Sequence, residues 1–261
     1  MFAKRLSDFP RVSRKAVRVI QYRGSNRTEM VREIDGNKGY AAGFENLIQF
    51  VLALTPADEP IVGGIRKPMS AYPEIAIREL IANALIHQDF TITGAGPLIE
   101  IFSDRIEISN PGQCLVDVNR IVDNPPKSRN EDMAAIMRRM HICEEAGGGW
   151  DKSVLGCEIM HITAPKMVQY DESVRVVLSL KSDFSMMTVQ EKLWACYLHA
   201  CVLAVENKCL TNTSLRDRFG LGEESAASIS RLIKDAVDAK LIKPYDPATA
   251  RRYMKYLPIW A

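Results

Sequence analysis

The chain has 261 residues, 47% hydrophobic and 25% charged, with 34 Lys and Arg against 32 Asp and Glu for a net charge of +2. That length and apolar content exclude a disordered or fibrous chain, and the near-zero balance excludes a protein that attracts polyanions through its overall field. Six cysteines, at 114, 143, 157, 196, 201 and 209, include no CxxC pair, which argues against a zinc ribbon or disulfide frame and for reduced thiols in a cytoplasmic protein.

The N-terminus, MFAKRLSDFPRVSRK, lacks the apolar run that follows the charges of a signal peptide. The stretch through Arg32 is basic, with Lys4, Arg5, Arg11, Arg14, Lys15, Arg18, Arg23 and Arg27 opposed only by Asp8 and Glu29. Ala16–Tyr22 alternates as a strand, Arg23–Asn26 turns and Thr28–Ile34 returns, so a hairpin is predicted with its arginines on a solvated sheet face. Phe44, Leu47, Ile48, Val51 and Leu52 recur at helical spacing and predict a helix over 40–54, ended by a loop with Pro56 and Pro60.

Pro73 and Glu74 suit a helix start, and the run PEIAIRELIANALIHQDF predicts a helix with Ile77, Leu80, Ile81, Ala84 and Leu85 on its apolar side. Two strands follow, Leu98–Phe102 and Arg105–Ser109, the second stopping at Asn110-Pro111-Gly112. Residues 113–131 read as irregular, Met133–Met140 as a short helix, Trp150–Met160 as another after Gly147-Gly148-Gly149, and Val174–Leu180 as a last strand.

The polar segment Lys181–Met187 reads as a linker, giving domains over 1–182 and 187–261. Beyond it, Val189–Val205 is an apolar helix whose run from Leu193 is shorter than the roughly 20 residues that span a bilayer, so no membrane role is expected. Thr213–Phe219, the turn Gly220-Leu221-Gly222, the amphipathic Glu223–Lys240 and two short strands around Arg251-Arg252 follow in the order of a winged helix-turn-helix. Its outward row would be Ser225, Ser228, Arg231 and Lys234, with Arg251, Arg252 and Lys255 on the wing and Thr213 and Arg216 near the DNA backbone. Glu223 and Glu224 oppose phosphates, and such a fold also serves as a protein-interaction or dimer module.

In the first domain, Glu79, Asn83 and His87 are spaced i, i+4, i+8 and form one polar stripe opposite the apolar side of their helix. An Asn amide oxygen can ligate a hard cation, and a carboxylate one turn away can orient or deprotonate water; a solvated polar face is the bland alternative. The four histidines, His87, His141, His161 and His199, lack metal-ligand spacing.

As a linked set, YPEIAIRELIANALIHQDF, IEIFSDRIEISNPG, RNEDMAAIMRRM and EEAGGGW resemble the ATPase-like module of the RecG-related transcriptional regulators, from about Ala16 to about Leu180. Those proteins combine a divergent histidine-kinase/gyrase-type (GHKL) ATPase domain with a following winged helix. An AlbA domain of Schlafen type usually precedes them; this sequence shows none and reads as a fragment or a short member. The resemblance implies ATP and Mg2+ as cofactors, with Glu79 and Asn83 as the acidic residue and magnesium ligand of the N-box. It implies that Asn110 and Gly112 lie at the adenine-reading turn and Gly147, Gly148 and Gly149 at the phosphates, with 113–131 as the lid. Two departures stand out: Asn110 replaces an adenine-reading Asp, and GGGW, with the bulky Trp150, replaces the family's usual GSGI-like run.

The expectation is an α+β protein, a divergent ATPase-like α/β sandwich followed by a winged helix, acting as a cytoplasmic, homodimeric, DNA-binding regulator. The first domain would sense a ligand or assemble subunits. The rivals are an ATP-hydrolysing enzyme, with Glu79 as base and Asn83 on magnesium, and an interaction scaffold.

Overall fold

A computed structural model of the chain describes residues 1–58, 61–62, 65–66, 69–122, 127–143 and 148–261, with the backbone alone at 58, 61–62, 65–66, 69 and 251. Met1–Ser153 and Pro165–Leu180 pack as one unit, Val154–Ala164 and Lys181–Ala261 as another. The segment Val154–Ala164 thus joins the second unit, although its position in sequence assigned it to the first.

The first unit opens with two single-turn 3-10 helices and the hairpin β1 (Arg18–Tyr22) and β2 (Met30–Asp35), followed by helix α1 (Tyr40–Leu54). Four two-residue strands come next: β3 (Ala57–Asp58) pairs with β6 (Met69–Ser70), and β4 (Ile61–Val62) with β5 (Ile65–Arg66). Helix α2 (Glu74–His87) leads to β7 (Leu98–Ile101) and β8 (Arg105–Pro111), then to helices α3 (Glu131–Arg139) and α4 (Gly149–Ile159) and strands β9 (Lys166–Gln169) and β10 (Ser173–Ser179). Six of these strands form one sheet in the order β2-β1-β7-β8-β10-β9. Among the described residues of this sheet only the β1–β7 pair is parallel; β8 meets β10 antiparallel from Pro111 opposite Ser173 to Arg105 opposite Ser179.

Strand alternation decides what each face buries. Ile99 lies opposite Ile108 and Ile101 opposite Ile106, and all four are buried on the face that carries α2. Glu100 and Glu107, also opposite one another, fall on the other face, yet are only 3% and 5% exposed. Buried carboxylates persist only when paired. Arg27 reaches across from the β1–β2 turn to Glu100 Oε1 at 2.7 Å and Glu107 Oε2 at 2.6 Å. Arg105 and Arg175 add contacts to Glu107 at 2.7 and 3.2 Å. Burial pushes the Glu100 carboxyl up, and the hydrogen bonds and charge of Arg27 overcome this to leave it lowered.

The basic N-terminal stretch is therefore not all solvated. Lys15 is buried and donates to the carbonyls of Asp89, Ile92 and Ala95 at 3.2, 2.6 and 2.9 Å, pinning the loop before β7. The second hairpin strand runs Met30–Asp35 and not Thr28–Ile34, and β8 continues through Pro111 instead of stopping at Asn110. Strand β9 was not predicted: two half-buried residues between two exposed ones at a sheet edge give no alternation to read.

The second unit comprises the tail of α4 with α5 (Val189–Val205), α6 (Asn212–Phe219), a 3-10 turn at Glu223–Ser225, α7 (Ala226–Asp238), β11 (Ile242–Pro244) and β12 (Tyr256–Pro258). Reciprocal capping boxes start two of its helices, Thr188 with Glu191 and Thr211 with Ser214. Ile229, Leu232, Ile233 and Ala236 of α7 pack with Leu193, Cys196 and Ala200 of α5 and with Leu210 and Leu215. Leu210 also bridges to Tyr256, so a third backbone segment joins the β11–β12 hairpin. Burial pushes the Cys196 thiol up to about 12, as suits a packing residue.

One charged group runs through this core. His199 Nδ1 lies 2.9 Å from Glu158 Oε2, and Glu158 Oε1 lies 3.6 Å from Nε of Arg218, whose side chain is 2% exposed. Burial, opposed by the charge of Glu158, leaves the Arg218 pKa below its usual value. No described helix is long and apolar enough to cross a membrane.

Candidate functional site

Helix α2 carries the site because it is enclosed on almost every side. Ala76, Ile77, Leu80, Ile81, Ala84 and Leu85 are buried, and so is Glu79, at 1% exposure. The polar stripe thus does not face solvent. Glu79, Asn83 and His87 line a cavity of about 400 Å3, together with Ile108 and Asn110 of β8, Val174 and Val176 of β10, and Gly149 and Trp150 of α4. Lys127, Ser128, Glu131 and Arg138 close the side formed by α3 and the residues before it.

The contact between α2 and α4 is tight. A β-carbon on Gly149 would lie 2.6 Å from Glu79 Oε2 and 3.8 Å from Asn83 Nδ2, so a side chain there would require the buried carboxylate to shift. Gly112 has a similar constraint: at φ 108 it sits where a β-carbon would meet Asp89 Cβ at 2.9 Å. Gly148 has open space around it, and Gly147 lies outside the described residues.

The end of α2 is held from two directions. Asp89 N donates to Pro111 O at 2.8 Å, which ties the chain after α2 to the end of β8. Asn130 Nδ2 donates to Ile86 O at 2.7 Å and to Gln88 O at 2.8 Å. Arg129 NH1 meets Asp89 Oδ2 at 3.2 Å, and its NH2 donates to Gln113 O at 2.9 Å. Arg129 and Asn130 were not singled out from sequence. Their adjacency just before a short helix was the one available signal, and their partners lie more than 15 residues away.

Electrostatics sort the titrating groups. Hydrogen bonds from the Thr91 hydroxyl and amide hold Asp89 below the usual carboxylate range despite some burial, with help from Arg129 and Lys15. Burial, then the Arg129 charge, lowers His87, which stays neutral near pH 7. Asn110 is buried, with its Nδ2 3.4 Å from Pro111 O, a long contact that keeps its amide available to the cavity. Trp150 is 3% exposed, and its Nε1 has no hydrogen-bond partner among the described residues.

A cavity of this size, with mostly apolar strand residues and with Glu79, Asn83 and His87 among apolar helix residues, can take a planar heterocycle carrying a polar tail. The donor set at the tail end is one carboxylate and one amide, which suits a hard cation shared with ligand oxygens. Among the described residues, no cluster of three or more His, Cys, Asp or Glu could hold a metal by itself.

In the second unit, Ser228, Arg231 and Lys234 are exposed along α7, and Ser225 is half-buried in the 3-10 turn that precedes it. Asn212 Oδ1 accepts from Arg216 Nε at 3.1 Å, and Thr213 is exposed. Arg252 and Lys255 are exposed beside the β11–β12 hairpin, while the side chain of Arg251 lies outside the described residues.

Residues 94–178 match the family described as "Putative ATP-dependent DNA helicase recG C-terminal". Among solved structures the chain is similar to the DIP2311 protein from Corynebacterium diphtheriae, with a TM-score of 0.61 and 15% identity over 94% of this chain. The matched part is 51% of that protein, so the chain spans about half its length, and at this identity the likeness concerns the fold alone. No curated protein matches the sequence. The family match supports a RecG-related, ATPase-like first unit of mixed α+β structure.

Proposed function

We propose that the chain is a DNA-binding transcriptional regulator whose second unit is a winged helix and whose ATPase-like first unit senses a nucleotide. The observation that carries the reading is α7. It buries Ile229, Leu232, Ile233 and Ala236, and on its opposite side it presents Ser228, Arg231 and Lys234 to solvent. A helix of 13 residues, held by α5 and α6 and followed by a hairpin, is the shape that enters a major groove. Arg231 would read a guanine edge or hold a phosphate, and Ser228 would make short hydrogen bonds. Arg251, Arg252 and Lys255 would meet phosphates from the hairpin, and Thr213 and Arg216 from α6. Ser225, half-buried before α7, contributes at the margin. Paired copies in a homodimer would address two half-sites.

Fluorescence anisotropy of the full chain with a random duplex pool, followed by selection, tests this. Binding that weakens steeply with salt and enriches one sequence is expected. Failure to bind any duplex at low salt would end the reading.

A second reading, an ATP-hydrolysing enzyme, is favoured by the contact of Glu79 with Gly149. In that reading bound ATP and Mg2+ supply the phosphoanhydride and its charge neutralisation. Asn83 would ligate the cation, Asn110 would face the adenine amino group, and Gly112 would give the turn its shape. The amides of Gly147, Gly148 and Gly149 would approach the phosphates, and Glu79 would take a proton from water. The 400 Å3 cavity and the carboxylate–amide donor set fit such a group. Thermal shift with ATP and Mg2+ separates sensing from turnover: stabilisation without phosphate release favours the sensor.

A further inference from the structure

A second cavity, of about 260 Å3, lies wholly within the second unit and is lined by the turn Phe219-Gly220-Leu221 that joins α6 to α7. Its apolar walls are Phe184 and Phe219, packed edge to face at 4.9 Å between ring centres, with Met187 and Leu221. The buried Arg218 forms part of its lining, and the exposed Lys181 and Asp183 stand at its solvent side.

Arg218 is underused. A guanidinium carries five N–H donors. Among the described residues it donates one hydrogen bond, from NH2 to Ile162 O at 2.9 Å. Its Nε makes none, since the Glu158 oxygen at 3.6 Å is beyond hydrogen-bond reach. Buried donors without acceptors are costly, so an anionic oxygen entering this cavity would meet Arg218 N–H groups that lack acceptors, although Glu158 already balances the charge. Lys181 adds a second positive charge at the solvent side, while Asp183 in the lining and Glu158 beside Arg218 offset the two cations, which disfavours a dianion more than a monoanion. The volume is below that of drug-sized sites, and the aromatic walls favour hydrocarbon.

We propose that this cavity binds a small organic monocarboxylate with an apolar body, its carboxylate on Arg218 and Lys181, and that occupancy alters DNA affinity through the α6–α7 turn. The second clause rests on the DNA-binding function proposed above. The route is short: a β-carbon on Gly220 would lie 3.4 Å from the His161 ring, and His161 Nδ1 donates to Arg218 O at 3.2 Å. The residues lining the cavity are thus the residues that hold the turn before α7.

Calorimetric titration of the full chain without DNA tests the site, using 3-phenylpropanoate as probe and 3-phenylpropanamide, succinate and inorganic phosphate as controls. Saturable 1:1 binding of the monocarboxylate is expected, with each control weaker by about tenfold or more. Lys181→Glu, at an exposed position, is expected to weaken it about fivefold or more with an unchanged melting temperature. Replacing the buried pair together, Arg218→Met with Glu158→Gln, is expected to abolish it. Equal affinity for acid and amide, phosphate binding as tight as the probe, or no saturable heat overturns the site. Duplex affinity at saturating 3-phenylpropanoate tests the coupling: a shift of about threefold or more in the wild type but not in Lys181→Glu supports it, and an unchanged affinity overturns it. Because the titration contains no DNA, a chain that binds the carboxylate and no duplex refutes the function and spares the site.

Discussion

The carboxylate of Glu79 fills the space that a side chain on Gly149 would need, with Oε2 2.6 Å from where that β-carbon would lie. Gly149, at the start of α4, stands against α2 here, at the lining of the 400 Å3 cavity. Gly149→Ala is therefore expected to push either the start of α4 or the buried carboxylate aside. We expect a loss of about 1–3 kcal/mol in urea unfolding and of any thermal stabilisation by ATP and Mg2+. Glu79→Gln, which keeps the shape, should retain stabilisation by nucleotide and, in the hydrolysing reading, lose phosphate release. Unchanged stability in Gly149→Ala would show that the contact relaxes without cost.

His87 makes stability depend on pH. Burial and Arg129 lower its folded pKa below the unfolded value near 6.5. The unfolded chain then binds more protons between the two values, so the contribution is complete above about pH 6.5 and is lost as pH falls through the folded pKa. Urea midpoints measured at about pH 7 and about pH 5.5 should fall more in the wild type than in His87→Gln. An equal fall in both proteins would remove His87 from the account.

The face of the sheet opposite α2 rests on Arg27. Arg27→Ala would leave Glu100 and part of Glu107 without their main cation. Breaking a buried pair typically costs 3–5 kcal/mol, but the Arg27 side chain is 46% exposed, so we expect about 1–3 kcal/mol. Chemical unfolding of Arg27→Ala beside Arg27→Ala/Glu100→Gln measures it, with partial recovery in the double variant. A loss in the single variant below about 0.5 kcal/mol would mean that solvent replaces the arginine.

Within the DNA-binding reading, Arg231 and Lys234 should behave differently. Arg231→Ala is expected to cost about 1–3 kcal/mol on the selected duplex and to relax preference at one base pair. Lys234→Ala should weaken all duplexes alike and reduce the salt slope by about 1. Anisotropy titrations across a salt series separate the two effects, and identical behaviour of both variants would place Arg231 on the backbone.

Much of the second unit was legible because α7 obeys one period: Ile229, Ile233 and Ala236 are spaced for a single buried side, and that side is buried. Helix α2 was legible as a helix but not in its surroundings. Glu79 belongs to a stripe that looks solvated, and the 1% exposure comes from a second packing layer that periodicity does not encode. Lys15 and Arg27 show the same limit, since Arg27 meets Glu100 across 73 residues of sequence and nothing local announces a distant partner. Asn130 is a further case: its amide holds the end of α2 from 44 residues away.

The Glu158 carboxylate, on the tail of α4, stands between His199 and Arg218 in the core of the second unit. That unit is therefore not one uninterrupted stretch of gene. A recombination event, or an expression plasmid, that began at Lys181 would carry a guanidinium buried without its counter-ion and a histidine without its acceptor. Such a piece would inherit every surface residue proposed to touch DNA and still fold poorly. Evolution could pass this unit on only together with the helix that precedes it.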